Sequence, residues 1–467
     1  MNRRSFLQAS VLAGLTAQTG CKSIQNMFSG GKGLFSPAGK TMIGFADKPL
    51  PEVRVGVIGV GMRGPGHVHS LLNIPGTQIK AICDLYEKRA ARQVEKVRSA
   101  GRPAPAAYFD YTGDERDNGE LRVRDSWKKL CERDDIDLVY ISTPWLLHTP
   151  MAVYAMEHGK HVAVEVPAAL TVEECRRLVD TSELTRRHCV MLENCCYGYN
   201  ELLMLNMCRN GVFGDLVHGA GAYLHDLCSL KLEKGRNGYQ DRWRLEFTKQ
   251  HDGNPYPTHG LGPICKCMDI NRGDQLQFLT SVSSGVFRMP REGAAKFGIK
   301  SPEASRSYYR QGDMNTTIIK TVRGRTILIE HDTTSPAPYS RINSIKGTKG
   351  IMEDYPLRLA FHPSAHNWLG AEEVNAYCKK YEHPLWKKQG ASATASGGHG
   401  GMDYLMNLRL IQCLQSGSPV DMDVYDAASW SCLVELTEIS TLSNGKSVDI
   451  PDFTRGMWMS GKPAAFV

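Results

Sequence analysis

A glycine-rich stretch near residue 60, placed directly after an apolar run, constrains this fold more than any other feature. Val53–Gly59 is a β-branched run, and the stretch that continues it reads Gly59-Val60-Gly61-Met62-Arg63-Gly64. This glycine spacing is typical of a strand that turns tightly into a helix whose N-terminus holds a phosphate group. A second apolar run, Ile79–Cys83, ends at Asp84, about 20 residues beyond the last glycine. Together they predict a dinucleotide-binding βαβ unit.

The acidic residue also indicates which dinucleotide binds. A carboxylate at Asp84 accepts hydrogen bonds from ribose hydroxyls and repels a 2′-phosphate, so NAD is favoured over NADP. The alternative is a glycine turn without a ligand. The cofactor residues predicted from this motif are Gly59, Gly61, Gly64 and Asp84.

Later apolar runs also end in polar or aromatic residues. Trp145 and His148 follow one run, Glu165-Val166 follows the next, and Glu193-Asn194 follows a third. Ligands in open α/β sheets bind at the carboxyl ends of the strands. Trp145 and His148 alone could be packing residues, but their position favours contact with a ligand.

The pattern of apolar residues predicts two kinds of sheet. Up to about residue 195, strands alternate with helices, which indicates a doubly wound parallel sheet, the Rossmann fold. Beyond residue 200, Val217–Leu224 and Thr316–Asp332 alternate like strands with one exposed face, and Gly347–Glu353 reads as a turn and a strand. We expect an α+β domain on an open, mostly antiparallel sheet, with Met402–Gln415 and Val424–Ser443 as helices that pack back.

Three segments follow from this pattern. Residues 1–50 are predicted to be an export signal and a linker. Residues 51–195 form an NAD-binding Rossmann domain, and residues 196–467 form a substrate-binding α+β domain.

The N-terminus has the pattern of a twin-arginine export signal. Asn2-Arg3-Arg4-Ser5-Phe6-Leu7 precedes a short apolar stretch, Val11–Ala17, which is too short to remain as a membrane span. Cys21 follows Gly20 and could carry a lipid anchor, although Gln18 departs from the usual lipidation motif. The alternative is a soluble N-terminal helix. Because twin-arginine export carries folded proteins, NAD could be loaded before export, and we expect a periplasmic or other extracytoplasmic location.

Charge and cysteine content exclude other partners. The net charge is +7, without a basic run interleaved with aromatic residues, so we expect no nucleic acid partner. The 14 cysteines show no disulfide framework, and free, buried thiols are expected. His67-x-His69, Cys265-x-Cys267 and His362-x-x-x-His366 do not complete a metal site, so we expect no metal.

Several unusual strings resemble the Gfo/Idh/MocA oxidoreductase family and, within it, glycoside hydrolase family 109, the NAD-dependent α-N-acetylgalactosaminidases. The resemblance runs from Val53 to the end of the chain. The matching strings are Gly61-Met62-Arg63-Gly64, Glu165-Val166-Pro167-Ala168-Ala169, Glu193-Asn194-Cys195-Cys196-Tyr197, Tyr223-Leu224-His225-Asp226-Leu227, Tyr256-Pro257-Thr258-His259-Gly260-Leu261-Gly262-Pro263 and Gly397-Gly398-His399-Gly400-Gly401.

This resemblance implies two sets of contacts. The NAD contacts are Met62, Arg63, Asp84, Trp145 to His148, Glu165, Val166 and Asn194. The sugar contacts are Tyr223, Arg242, Tyr256, Pro257, Thr258, His259 and Tyr339. The wider family usually has Glu-Lys-Pro where this chain has Glu165-Val166-Pro167. Valine cannot transfer a proton, which argues against ordinary sugar-alcohol dehydrogenation.

The resemblance also implies a route for glycoside cleavage. The sugar is oxidised at C3 and later reduced again, so NAD is not consumed. Between these steps the C2 proton and the C1 leaving group depart, and water then adds to the unsaturated ketone. We expect His259 and Tyr223 to be catalytic, with Tyr197, His225 and His399 as further candidates. His399 could instead lie in a mobile glycine linker, His225 could belong to a buried structural pair, and Tyr256–His259 could be only a proline-stiffened turn.

Three functions remain open from the sequence. The first is an exported glycosidase that cleaves terminal α-linked N-acetylgalactosamine with tightly bound, recycled NAD. The second is an NAD-dependent oxidoreductase of a sugar or cyclitol, and the third is a sugar-binding module without activity. The open sheet could also pair face to face in a homodimer.

Overall fold

A six-stranded parallel sheet forms the first half of the fold. The computed structural model describes residues 40–113, 124–364 and 366–461. The elements up to residue 191 are β1 (Val53–Ile58), α1 (Gly64–Leu72), β2 (Thr77–Cys83), α2 (Glu87–Ser99), β3 (Ala106–Tyr108), α3 (Ser126–Cys131), β4 (Leu138–Ile141), α4 (His148–Glu157), β5 (His161–Val164), α5 (Val172–Thr185) and β6 (Cys189–Met191). The strand order is β3-β2-β1-β4-β5-β6, and every neighbouring pair is parallel. The Rossmann prediction is confirmed.

The central strands form because their side chains are apolar on both faces. Val53, Val55 and Val57 of β1 are fully buried, as are all four residues of β4. A run of this kind is stable only between two layers of helices, as in a parallel sheet. The carboxyl ends of these strands therefore meet at one edge, where the polar residues that follow them come together.

An eight-stranded sheet forms the second half. Its strands and accompanying helices are α6 (Tyr199–Arg209), β7 (Leu216–Leu224), α7 (Cys228–Leu232), α8 (Trp243–Gln250), α9 (Thr258–Cys267), β8 (Leu276–Ser283), α10 (Arg288–Phe297), β9 (Met314–Thr321), β10 (Thr326–Asp332), β11 (Ser344–Gly347), β12 (Gly350–Glu353), β13 (Arg358–Phe361), α11 (Ala371–Tyr381), α12 (Pro384–Ser396), α13 (Met402–Ser416), α14 (Val424–Ser431), α15 (Leu433–Leu442) and β14 (Val448–Asp449). The order is β13-β12-β11-β7-β10-β9-β8-β14. Only β7 and β10 pair in parallel, so the expected mostly antiparallel sheet is confirmed.

Two stretches identified in the sequence each contain two secondary-structure elements. The stretch Thr316–Asp332 is a hairpin, in which Thr321 and Thr326 end and begin successive strands. The stretch Val424–Ser443 is two helices that meet at Cys432. Alternation of apolar residues does not distinguish one long strand from a tight hairpin, which explains the first difference.

Close approach of α9 to β7 joins the second sheet to its covering helix. A Cβ on Gly221 would lie 2.2 Å from the carbonyl oxygen of Gly260, and a Cβ on Gly260 would lie 2.4 Å from the nitrogen of Ala222. Only glycine permits this distance between strand and helix. The contact places His259 of α9 beside Tyr223 of β7, with ring centroids 5.4 Å apart.

The C-terminal helices return to the Rossmann sheet, as predicted. The Nδ2 of Asn407 in α13 lies 3.3 Å from Nδ1 of His67, and its Oδ1 accepts from the Tyr140 hydroxyl at 3.1 Å. In α14, the Ser431 hydroxyl accepts from the backbone N–H of Ala168 at 3.0 Å. These buried hydrogen bonds fix α13 and α14 against the edge of the sheet that carries the site.

Residues 40–50, which we had assigned to the linker, make defined contacts. The backbone N–H of Met42 donates to the Tyr425 hydroxyl at 3.0 Å, and Arg187 pairs with Asp47 at 2.6 Å. The leader residues Asn2–Leu7 and Cys21 lie outside the described residues. In the part that the structure describes, no helix is long and apolar enough to cross a bilayer. The 13 cysteines found there are all free, and 11 of them are buried, as expected.

Candidate active site

A cleft of about 800 Å³ opens where the carboxyl edge of the parallel sheet faces the second sheet. Its Rossmann side consists of residues that follow β1, β2, β4, β5 and β6, and its other side comes from β7, α8, α9 and the loop before α13. The lining residues used below are Gly59, Gly61, Met62, Arg63, Asp84, Trp145, His148, Glu165, Val166, Asn194, Tyr223, Arg244, Tyr256, His259, Gly398, His399 and Asp403. Most of the predicted cofactor residues and several of the predicted sugar residues therefore share one cleft.

The glycine turn is built for close approach of a ligand. Gly59 has φ +84°, which favours glycine, and a Cβ at Gly64 would lie 1.9 Å from the carbonyl oxygen of Gly59. The Asp84 carboxylate accepts from the backbone N–H of Val60 at 2.8 Å, so the acid is held against the turn. Arg89 lies 4.0 Å from the same carboxylate. The turn and the acid are arranged as a dinucleotide site requires.

Arg63 joins the glycine turn to both sides of the cleft. Its Nε donates to Glu165 at 2.7 Å, and its two terminal nitrogens donate to Asp403 at 2.6 and 2.9 Å. His67 also lies 2.7 Å from Glu165. Burial by itself raises the pKa of Glu165, but the charge of Arg63 and the contact with His67 lower it to about 2. Glu165 is therefore ionised at neutral pH.

Asp403 lies at the centre of this network, and sequence reasoning missed it. Besides Arg63, it accepts from Asn194 Nδ2 at 2.6 Å and lies 2.8 Å from His399 Nδ1. Burial raises the pKa of its carboxyl, but His399 and Arg63 together bring that pKa well below its ordinary value. The sequence signal that could have indicated Asp403 is its position four residues after His399, in the first turn of α13.

His259 is held by a buried carboxylate. Its Nδ1 lies 2.7 Å from Oε1 of Glu193, which also accepts from the backbone N–H of Cys195. Burial raises the pKa of Glu193, but His259 lowers it below its ordinary value. Glu193 is therefore an ionised acceptor for a proton on Nδ1, and in the neutral imidazole this contact leaves the lone pair on Nε2. The sequence indicated Glu193 only as a residue at a strand end.

Three potential metal ligands, one of them His259, lie close together. Ligand atoms of Glu193, Cys195 and His259 lie within 4.8 Å of one another. Burial raises the pKa of the Cys195 thiol well above its ordinary value, and a protonated thiol is a poor metal ligand. The carboxylate and the imidazole already hydrogen-bond to each other, so we interpret the group as a hydrogen-bonded cluster.

Aromatic rings form the wall of the cleft opposite the glycine turn. Trp145 stacks on Tyr256 with ring centroids 5.7 Å apart, and Tyr256 lies 4.8 Å from both Tyr223 and His259. Tyr256 and Pro257 precede α9, and Thr258 begins that helix, so this segment is a helix start rather than an isolated turn. Pro257 and Thr258 are buried and position their neighbours.

Arg244, not Arg242, brings a guanidinium to this wall. Arg242 has φ +48° and lies 3.3 Å from Glu303, outside the cleft lining, and its sugar contact stays a prediction. Arg244 is 5% exposed, and its guanidinium lies 4.9 Å from the ring centroids of Trp145 and Tyr256. Its Nη2 is buried and has no hydrogen-bond partner among the described residues. A buried donor of this kind is available to a ligand.

Tyr223 carries its proton at neutral pH. Burial raises the pKa of its phenol to about 12, although Arg244 opposes that effect. The Tyr223 hydroxyl lies 3.1 Å from His225 Nδ1, and burial lowers the pKa of that histidine. His225 is outside the cleft lining, and its contact with a lining residue is the one with the Tyr223 hydroxyl.

The remaining predicted residues divide between the cleft and its surroundings. His148 lines the cleft, where its two ring nitrogens lie 2.7 Å from the carbonyl oxygen of Pro167 and 2.8 Å from that of Thr143, which fixes the ring. Tyr339 lies beside the aromatic wall, with its ring centroid 6.1 Å from that of Tyr223. Tyr197 is buried and donates to Asp421, outside the cleft lining.

Val166 places an apolar side chain in the cleft. It is 2% exposed and follows Glu165 at the end of β5. A valine at this point can shape the cleft but cannot carry a proton to or from a hydroxyl group.

Comparison with known proteins first defines the class. The NAD-binding Rossmann fold of the oxidoreductase family GFO/IDH/MocA matches residues 53–193. Among solved structures, levoglucosan dehydrogenase in complex with NADH superposes with a TM-score of 0.62 over 86% of this chain and 100% of that chain, at 18% sequence identity. The fold is therefore that of an NAD-binding oxidoreductase.

The second half of the chain defines the family. The C-terminal domain of glycosyl hydrolase 109 matches residues 197–460. An α-N-acetylgalactosaminidase of Bacteroides fragilis is 47% identical over 425 residues, which cover 91% of this chain and 97% of that protein. A glycosyl hydrolase family 109 protein of Shewanella sp. (strain ANA-3) is 46% identical over 100% of this chain and 99% of that protein. The chain belongs to glycosyl hydrolase family 109, and it is a glycoside hydrolase with an NAD-binding Rossmann domain.

Proposed function

We propose that this enzyme hydrolyses terminal α-linked N-acetylgalactosamine with an NAD molecule that stays bound and is reused. The observation that carries this proposal is that the glycine turn and the pair formed by Tyr223 and His259 line one cleft. The relative from Bacteroides fragilis is named for this activity, which supports the choice of sugar.

The residues present fit NAD. The Gly59–Gly64 turn admits a backbone approach to the pyrophosphate, and Asp84 is placed for the ribose hydroxyls. Trp145, His148, Glu165, Val166 and Asn194 line the continuation of the cleft towards Tyr223. When bound, NAD supplies a reversible two-electron oxidation at C3 of the sugar, which makes the C2 proton acidic.

His259 is the base in this proposal. Because Glu193 accepts the Nδ1 proton, the lone pair on Nε2 is free to take the C2 proton of the sugar. The neighbouring carboxylate also stabilises the imidazolium that results, as in other carboxylate–histidine pairs. Glu193 thus acts through His259 as a positioning residue.

Tyr223 is the proton donor. Its raised pKa keeps the phenol protonated, so it can give a proton or a hydrogen bond to an oxygen atom of the departing group. Arg244 orients the sugar because its unpaired Nη2 needs an acceptor oxygen. The faces of Trp145 and Tyr256 cover the apolar side of the ring and exclude water.

The competing candidate is a net oxidoreductase of a sugar or cyclitol. The buried Val166 argues against it, since this position offers no group for proton transfer from an alcohol. The test is to purify the protein without added NAD and supply a chromogenic α-N-acetylgalactosaminide. Release of the chromophore without accumulation of NADH supports the glycosidase, and steady formation of NADH supports the oxidoreductase. Protein without bound NAD and without turnover would favour a sugar-binding module.

We also propose export by the twin-arginine route, with Cys21 as a possible site of lipid attachment. The pattern Asn2-Arg3-Arg4-Ser5-Phe6-Leu7 supports this location. Cell fractionation of the full chain and of an Arg3→Lys, Arg4→Lys variant tests it. Retention of the variant in the cytoplasm is expected, and equal export of both proteins would contradict the proposal.

A homodimer through the open sheet is a further proposal. Val282 and Ile318 lie on the outer face of the eight-stranded sheet and are 58% and 55% exposed. Because the two side chains lie on the same face of neighbouring strands, they offer an apolar surface that a second copy of the chain would cover. Light scattering should give the mass of a dimer, and Ile318→Lys should give a monomer. A monomeric wild-type protein would contradict the proposal.

A further inference from the structure

The loop before α13 has an unusual backbone. The five residues Gly397–Gly401 all have positive φ, between +47° at His399 and +101° at Gly401. Glycine adopts this region readily, so four of the five positions are suited to it, and His399 is the exception. Gly398 and His399 line the cleft, and His399 lies 3.2 Å from Arg63 of the glycine turn. The loop is therefore a shaped segment that faces the dinucleotide site.

A network of short hydrogen bonds fastens this loop to the turn. Asp403 binds the guanidinium of Arg63 through both oxygens, at 2.6 and 2.9 Å. His399 Nδ1 lies 2.8 Å from Asp403 and 3.2 Å from Arg63 Nη1. A bidentate pair between arginine and carboxylate is strong and fixes the relative orientation of its two partners. Arg63, Asp403 and His399 thus join the loop to the turn at the lining of the cleft.

The network is partly shielded from water. The Asp403 side chain is 12% exposed and that of Arg63 is 28% exposed, whereas His399 is 58% exposed. Asn194 also donates to Asp403 at 2.6 Å from within the cleft. The pair between Arg63 and Asp403 therefore lies between solvent and the interior of the site, with His399 on the outside.

We propose that Asp403 and His399 retain the cofactor by holding the Gly397–Gly401 loop against Arg63. A dinucleotide on the glycine turn then leaves only after the pair between Arg63 and Asp403 breaks. Differences in affinity between related complexes arise mostly from the dissociation rate, so such a fastening acts on the lifetime of the complex. This inference rests on the proposed function, in which one NAD molecule serves many turnovers.

The test measures NAD itself rather than activity. Full-length protein is purified, and its NAD content is followed by chromatography of acid extracts during dialysis. Asp403→Asn keeps the shape of the side chain but removes its charge, and we expect it to lose NAD at least tenfold faster than the wild type. His399→Ala should lose NAD at least threefold faster than the wild type. Because His399 is exposed, this variant provides the test if Asp403→Asn does not fold.

A matched control is available on the same sheet. Arg54 binds Asp137 through both oxygens, at 2.9 and 2.6 Å, outside the cleft lining. Asp137→Asn should therefore release NAD at the wild-type rate. Release at the wild-type rate from Asp403→Asn and from His399→Ala would overturn the retaining role while leaving the proposed function intact. Wild-type protein isolated without NAD would overturn the proposed function and this inference together.

Discussion

The Glu193 carboxylate and the His259 imidazole share a hydrogen bond of 2.7 Å at the wall of the cleft. The two residues lie 66 positions apart in the chain, at the end of β6 and in the first turn of α9. The carboxylate is fully buried, whereas the imidazole is 12% exposed to the cleft. One nitrogen of the ring is thus fixed by the protein, and the other is available for chemistry.

Replacement of Glu193 by glutamine should slow turnover without loss of NAD. The amide keeps the size of the side chain but cannot stabilise a positive charge on His259, so we expect kcat to fall by about 10²-fold. Release of chromophore and NAD content are measured on the same preparation. Glu174→Gln, at a half-buried position in the first turn of α5 and outside the cleft lining, is the control and should keep its activity. An unchanged kcat in Glu193→Gln would remove His259 from its assigned role.

Tyr223→Phe should separate proton donation from packing. Phenylalanine preserves the ring contacts with Tyr256 and His259 but lacks the hydroxyl, so kcat should fall by about 10² to 10³-fold while the protein stays folded. Tyr425→Phe, which loses a hydroxyl that binds Glu183 outside the cleft, is the matched control. Comparable activity in the two variants would show that the Tyr223 hydroxyl takes no part in proton transfer.

Arg244 and Arg242 provide an internal comparison two residues apart. Arg244→Lys removes the planar group from the aromatic wall, so we expect KM to rise about tenfold, equivalent to about 1.4 kcal/mol. Arg242→Lys affects a contact with Glu303 and should leave KM unchanged. Steady-state kinetics on both variants decide between them. A larger rise in KM for Arg242→Lys would contradict the role given to Arg244 and support Arg242 as the sugar contact.

Glu165 should make folding stability depend on pH. Its pKa is lowered to about 2 from 4.5, so its stabilising effect is complete above pH 4.5 and disappears as the pH falls towards 2. The free energy of unfolding of the wild type should exceed that of Glu165→Gln at pH 6. This difference should become smaller by about 1 kcal/mol when the pH is lowered to 4.

Urea denaturation at the two pH values measures this change. Burial raises the pKa of Glu174. The difference in free energy of unfolding between the wild type and Glu174→Gln should therefore move in favour of the wild type as the pH is lowered from 6 to 4. A constant difference between wild type and Glu165→Gln across this range would contradict the ionised network around Arg63.

Much of the Rossmann half could be predicted from sequence because its signals are local. The run Val53–Gly59, the glycines and Asp84 lie within about 30 residues, and each has a direct structural cause. For the second sheet, the sequence predicted only that it is open and mostly antiparallel. Its strand order depends on pairing between distant segments, such as β7 with β10, for which the sequence carries no local signal.

One cause explains why the sequence did not indicate Asp403 and indicated Glu193 only as a residue at a strand end. Asp403 and Glu193 act through partners that are far away in the chain, Arg63 and His259. Arg242 was predicted from the family resemblance, and Arg244 was not predicted. In the structure, the left-handed backbone at residue 242 accompanies a contact between Arg242 and Glu303. Two arginines two positions apart cannot be distinguished until the direction of the helix that follows is known.

The most direct test of the proposed chemistry is hydrolysis in D₂O, with enzyme purified without added NAD. If a protein base removes the C2 proton before the glycosidic bond breaks, the released N-acetylgalactosamine should carry deuterium on C2, as measured by mass spectrometry and NMR. Unreacted substrate and product incubated without enzyme control for exchange in solution. A released sugar without carbon-bound deuterium would contradict removal of the C2 proton and support direct hydrolysis.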